Sequence, residues 1–115
     1  MKLVLSLIII LFFAFKANSQ TVITPSQAKS YTDSTVTVTG NVAEVTLIRN
    51  IAHINFEKKY PDTEFSGVLF MDKFPELVDL VKSMEGKNVS LTGKIELYKD
   101  RPQIKIESKD QVVIK

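Results

Sequence analysis

Two segments in opposite halves of the chain share one pattern. Thr35-Val36-Thr37-Val38-Thr39-Gly40-Asn41-Val42 and Val89-Ser90-Leu91-Thr92-Gly93-Lys94-Ile95-Glu96-Leu97 both alternate apolar and polar residues, and each has a glycine in its apolar row. Strict alternation is the signature of a strand with one dry face. A residue without a side chain in that row suits a bend or bulge where a strand turns a corner. Two such strands predict a small curved sheet closing on itself rather than a flat one.

The N-terminus differs in kind from the rest. Lys2 is followed by the apolar stretch Leu3–Phe15 and by the small residues Ala17-Asn18-Ser19. This reads as a secretory signal peptide at residues 1–19, cleaved after Ser19, leaving one domain at 20–115 in a periplasmic or secreted setting. The apolar run is too short to span a bilayer as a helix, so no integral membrane span is expected in the mature chain. There is no cysteine, so an exported domain of this kind must rely on its core rather than on disulfides. The charge balance also changes with the leader. Of 15 basic residues, Lys2 and Lys16 lie in it, leaving 13 against 13 acidic ones. A neutral domain lacks the global positive field that drives non-specific binding to polyanions, so any such site must be local.

Along the mature chain, Gln20–Ile23 is a short extended lead-in. Thr24-Pro25-Ser26-Gln27 then has the capping-box spacing with proline at the first helical position, and Ile23 is placed to staple onto Ala28. One or two helical turns are expected to end near Tyr31, where Thr32-Asp33-Ser34 is turn chemistry. The first strand follows from Thr35, its apolar row shifting register through Val45, Leu47 and Ile48 to a turn at Arg49-Asn50. Ile51–Phe56 reads as a second strand with Ala52, Ile54 and Phe56 inward and His53 and Asn55 outward. Phe65–Phe70 is a third strand beyond the polar loop 57–64, with large hydrophobes in both rows. From Pro75 the stripe Leu77, Leu80, Val81, Met84 predicts a helix ended by Gly86. The fourth strand begins near Val89, a polar turn sits at Lys99-Asp100-Arg101, and Ile104 and Ile106 mark the fifth strand. Asp110–Ile114 closes the chain.

Strand, strand, strand, helix, strand, strand is the order of the OB-fold. The expected class is therefore all-β with one helix: a five-stranded Greek-key barrel with the helix between strands three and four. The residues Val36–Val42, His53–Pro61, Phe65–Val68, Gly86–Ile95 and Tyr98 with Pro102–Ile104 also resemble nucleic-acid-binding OB domains of the anticodon-binding type. These occur in some tRNA synthetases, in the large subunit of exonuclease seven and beside secreted nucleases. The resemblance implies a binding face on strands two and three framed by loops. It would place Arg49, His53, Asn55, Lys58, Lys59 and Tyr60 on one side and Tyr98, Lys99 and Arg101 in the hairpin tip. Cations for phosphates and aromatics for base stacking are what a single-strand groove requires.

Each of these residues has an ordinary reading too. His53, the only histidine, has no second ligand near it in sequence and by itself is a surface imidazole. Lys58-Lys59 is by itself a solvated loop, and Tyr60 and Tyr98 can pack locally. Glu57, Asp62, Glu64 and Asp100 cancel charge in the same loops. There is no cysteine nucleophile or phosphate-cradling glycine loop, and the single histidine has no carboxylate and serine set that sequence can place around it, so the expectation is a binding module without cofactor or metal, not an enzyme. Two partner classes stay open: single-stranded DNA or RNA, or an envelope protein, small cation or oligosaccharide.

Overall fold

The structure is a computed structural model that describes residues 21–115, so the expected leader lies outside the described residues. The elements are β1 (Val22–Ile23), a 3₁₀ segment Pro25–Tyr31, β2 (Thr35–Ile48), β3 (Ile51–Phe56) and β4 (Ser66–Phe70). A 3₁₀ turn Pro75–Leu77 leads into α1 (Val78–Lys82), the single α-helix among the described residues, followed by β5 (Asn88–Lys94), β6 (Glu96–Tyr98) and β7 (Arg101–Lys105). A last 3₁₀ turn, Lys109–Gln111, precedes β8 (Val112–Ile114). Among the described residues, no helix is long and apolar enough to cross a membrane.

The hydrogen-bonded path is open, running β6-β7-β4-β3-β2-β5-β8 with β1 added in parallel beside β2. Among the described residues, eight strands thus stand where five in a closed barrel were expected. Two of the extra strands are the short terminal segments β1 and β8. The third arises because the expected fourth strand divides at Ile95: β5 pairs with β2 and β8, whereas β6 pairs with β7.

Strand β2 is 14 residues long because it serves two partners. Thr35–Asn41 pairs with β5 and Val42–Ile48 with β3. Between these halves the register slips: Val42 faces Phe56, but Glu44 faces Asn55, leaving Ala43 as an extra residue. Such a bulge exchanges the two faces of a strand. Val36, Val38 and Val42 are buried before it, and Val45 takes over the inward row opposite Ile54 after it. Glu44, which strict alternation would carry into the core, is thereby turned to the outer face.

The corner at Gly93 is the second constraint. A Cβ on Gly93 would lie 2.6 Å from Ile104 Cγ2, so the missing side chain is what lets β7 approach β5. No ladder joins those two strands. Instead Gln111 Nε2 donates to Thr92 O of β5 (3.0 Å) and Lys105 O of β7 (2.9 Å), while its Oε1 accepts from Glu107 N and Ser108 N. One side-chain amide bridges the strand gap with both of its ends satisfied.

The interior is filled by Ile54, Phe56, Phe65, Leu69, Leu91, Ile95, Ile104 and Ile106, with Phe56 and Phe65 ring centroids 5.1 Å apart. The helical region is shorter than its apolar stripe predicted, five residues of α-helix entered through 3₁₀. Leu77, Val81 and Met84 are still buried against the sheet, and Gly86 ends the segment at φ +81°. The segment after Thr24 is likewise 3₁₀ rather than α, although it opens with the expected capping box: the Thr24 side chain faces the Gln27 N–H, and Gln27 Oε1 accepts from Thr24 N (2.9 Å).

Gly93→Val is expected to lower unfolding stability by about 1–3 kcal/mol through overpacking. Gln111→Ala, which strips two carbonyls of their donor, is expected to cost about 1–3 kcal/mol. Urea denaturation midpoints measure both, and Gln111→Glu should recover little because a carboxylate cannot donate.

Candidate functional site

The outer face of β2, β3 and β4 is polar where the inner face is dry. Cross-strand pairing aligns Glu44 with Asn55 and Thr46 with His53, and Asn55 in turn with Ser66. The β3–β4 loop brings Tyr60, and the β6–β7 hairpin brings Tyr98 to Gln103, to the rim of this face. Together they enclose a cleft of about 560 Å³. Six of the nine expected residues line it: His53, Asn55, Tyr60, Tyr98, Lys99 and Arg101. Arg49, at the exposed β2–β3 turn, and Lys58 and Lys59, exposed at the start of the β3–β4 loop, do not line it.

Glu44, Thr46, Ile48, Ser66, Pro102 and Gln103 also line the cleft and were not among the expected residues. Ser66 was legible as the neighbour of Asn55 once the third strand was given a register. Glu44 and Thr46 reach this face only because of the Ala43 bulge, for which alternation carries no sharper signal than a shifting apolar row.

The rim is held by Arg101. Its Nη2 donates to Pro61 O (3.0 Å), its Nη1 to Thr63 O (3.3 Å), and the guanidinium carbon lies 4.9 Å from the Tyr60 ring centroid. Arg101 therefore ties the hairpin to the β3–β4 loop and backs the Tyr60 ring. Tyr60 and Tyr98 remain 66% and 58% exposed, so both present ring surface to solvent. Lys99 Nζ sits 5.4 Å from the Tyr98 centroid. Two of the acids expected to cancel this charge are engaged elsewhere. Asp100 pairs with Lys29 at 2.8 Å, and Glu57 Oε2 accepts from Asn41 N at 3.0 Å.

The hairpin turn is one residue tighter than expected, because Arg101 pairs with Tyr98 inside the ladder. The two turn residues, Lys99 and Asp100, have φ of 52° and 67°. Two consecutive left-handed residues define the type I′ hairpin turn, which favours Asn, Asp and Gly. A lysine there carries a steric cost of about 1 kcal/mol, and strain of this kind is retained where the side chain serves a purpose. Lys99→Gly is expected to raise stability by about 0.5–1 kcal/mol in urea unfolding.

The floor is a hydrogen-bonded chain. Glu44 Oε2 accepts from Tyr60 N (2.9 Å) and from Asn55 Nδ2 (2.8 Å), and Asn55 Oδ1 accepts from Ser66 Oγ (2.6 Å). Asn55 is only 3% exposed, so its amide belongs to the scaffold and positions Glu44. The Tyr60 N–H, then the Asn55 amide and the nearby Lys59 charge, hold the Glu44 carboxyl below the usual carboxylate range. Burial pushes the His53 imidazole down from its ordinary 6.5, so it is neutral in the fold at neutral pH. Among the described residues, His, Asp and Glu side chains do not gather in any group of three able to hold a metal ion.

A depressed imidazole binds its proton more readily in the unfolded chain. The contribution of His53 is then fully present above its ordinary value of 6.5 and is lost as the pH falls through the lowered one. Unfolding midpoints should decline over that window in the native protein and decline less in His53→Gln.

No described protein family and no curated protein sequence matches this chain. Its fold does match solved structures. OBody AM1L10, solved bound to hen egg-white lysozyme, superposes with a TM-score of 0.61 at 17% identity, covering 84% of this chain and 94% of that one. Asparaginyl-tRNA synthetase from Pyrococcus horikoshii gives 0.60 at 9% identity over 80% of this chain, which spans 22% of the synthetase. The S. pombe Stn1-ten1 complex gives 0.56 at 13% identity over 70% of this chain and 57% of the matched chain. What is shared at these identities is the OB-fold.

Proposed function

We propose that this chain is an exported, non-enzymatic module that binds single-stranded nucleic acid across the β3–β4 face and its rim loops. In this reading β2, β3, β4, the pair β5 with β6, and β7 are the five strands of a Greek-key OB barrel of the anticodon-binding type. β1 and β8 are additions, and the Gly93–Gln111 corner closes the barrel. The observation that carries it is the cleft of about 560 Å³ edged by two exposed tyrosines and by Lys99, which makes no salt bridge among the described residues. A tRNA synthetase among the structures of like fold is consistent with it.

The mechanism follows from the geometry. Bases stack on Tyr60 and Tyr98, a contact worth about 1–3 kcal/mol each and indifferent to sequence. Lys99 meets phosphate at the hairpin tip, and Arg49, Lys58 and Lys59 extend the cationic path beyond the cleft. With the domain neutral and Arg101 occupied in the scaffold, few phosphates are neutralised. The salt dependence should then be shallow, with a log–log slope between about −1 and −3 for one to four phosphates at roughly −0.7 each.

Fluorescence anisotropy of residues 20–115 with a mixed-sequence single strand of about ten nucleotides tests the reading. Binding at low salt, weakened about tenfold by Tyr60→Ala and absent for duplex of the same sequence, is expected. No binding at low salt, or equal affinity for duplex, would overturn it. A second reading, an envelope protein or oligosaccharide at the same cleft, is favoured by Ile48, an apolar side chain 57% exposed on the cleft wall. Retention of an envelope protein by a chain that ignores oligonucleotides would establish it.

A further inference from the structure

The cleft holds a carboxylate where a polyanion is proposed to lie, and this has a chemical consequence. Glu44 is aimed into the cleft by the Ala43 bulge, which takes it out of the inward row. Its Oε2 is fixed by the Tyr60 N–H and the Asn55 amide, while its Oε1 makes no hydrogen bond among the described residues. One oxygen is thus anchored on the same backbone N–H that begins the stacking residue, and the other is open to the cleft. The carboxyl is held ionised.

An anchored, ionised carboxylate repels phosphate, so whatever sits over it offers hydrogen-bond donors. Next to the Tyr60 ring that group is the edge of a stacked base. Watson–Crick edges differ in what they offer a carboxylate. Guanine presents two adjacent donors, N1–H and N2–H₂. Adenine and cytosine present one amine beside an acceptor nitrogen. Thymine and uracil present one N–H flanked by two carbonyls, each repelled by the carboxylate.

We propose that Glu44 is a specificity-determining residue that selects guanine over thymine or uracil for the base stacked at Tyr60. The inference rests on the proposed single-strand binding and adds a preference to it. Asn55 and Ser66 act through Glu44 as positioning residues: the Asn55 amide, 3% exposed, holds Glu44 Oε2, and the Ser66 hydroxyl donates to Asn55 Oδ1.

The test compares anisotropy titrations of the wild-type chain with an all-thymine strand, with the same strand carrying one central guanine, and with inosine at that position. Guanine, whose N1–H and N2–H₂ can both donate to the open Oε1, is expected to tighten binding about five- to tenfold, the lower end of what a two-donor base contact is worth. Inosine, which lacks the N2 amine, should lose most of that gain. Glu44→Gln should bring the guanine and thymine strands to equal affinity, with the thymine affinity unchanged or higher because a negative charge is gone. Equal binding of guanine and thymine strands by the wild-type protein overturns the proposal while leaving the single-strand reading in place. Absence of binding to either strand overturns both. The inosine comparison needs no variant, so the outcome does not depend on how Glu44→Gln folds. Competition by guanosine monophosphate at the oligonucleotide's own concentration would assign the edge to a free nucleotide and overturn the strand assignment.

Discussion

Close approach of β5 and β7 at Gly93 is the contact on which the rest of the sheet depends. There the chain leaves the β2 and β8 ladders and takes up β7, and Ile104 occupies the space a side chain on Gly93 would fill. Backbone groups at a corner cannot all pair with a neighbouring strand, and an unpaired group that is shielded from water is costly. Gln111 resolves this by donating across the gap to Thr92 O and Lys105 O. The last few residues of the domain thus contribute to the barrel-like curvature, although β8 itself has only three residues.

A second irregularity decides what the outer face carries. β2 is read by β5 over one half and by β3 over the other, and the slip between the halves inverts its faces. The slip keeps valine pointing inward on both sides of Ala43 and sends Glu44 outward. From there a chain of hydrogen bonds runs through Asn55 to Ser66 and through the Tyr60 N–H to the β3–β4 loop. Core packing and the polar floor are two results of one inserted residue.

The rim is built by a different economy of charge. Arg101, the cation most suited to a bidentate phosphate contact, donates instead to Pro61 O and Thr63 O and lies over Tyr60. Lys99, in a left-handed conformation that lysine rarely adopts, keeps its ammonium beside Tyr98 with neighbouring Asp100 drawn off by Lys29. A tyrosine backed by Arg101 and a tyrosine–lysine pair thus border the cleft, with a neutral His53 and an ionised Glu44 in its wall.

Alternation by itself determined the strands Thr35–Val42 and Ile51–Phe56, the inward rows of both and the glycine at the Gly93 corner, because burial on one face of a strand writes a period of two into local sequence; the position of the helix came from the 3.6-residue stripe Leu77, Leu80, Val81, Met84. Alternation also put His53 in an outward row, whereas Tyr60 and Tyr98 were reached through the resemblance to OB domains, which implies a binding face framed by those loops. Tertiary structure alone decided that Arg101 is a clamp, that Asn55 is a buried support, that Arg49, Lys58 and Lys59 fall outside the cleft and that Glu44 falls inside it. Each of these turns on which groups meet across the fold. A bulge or a side chain spanning two strands leaves no periodic trace, because its partners are fixed by geometry many residues away rather than by neighbours along the chain.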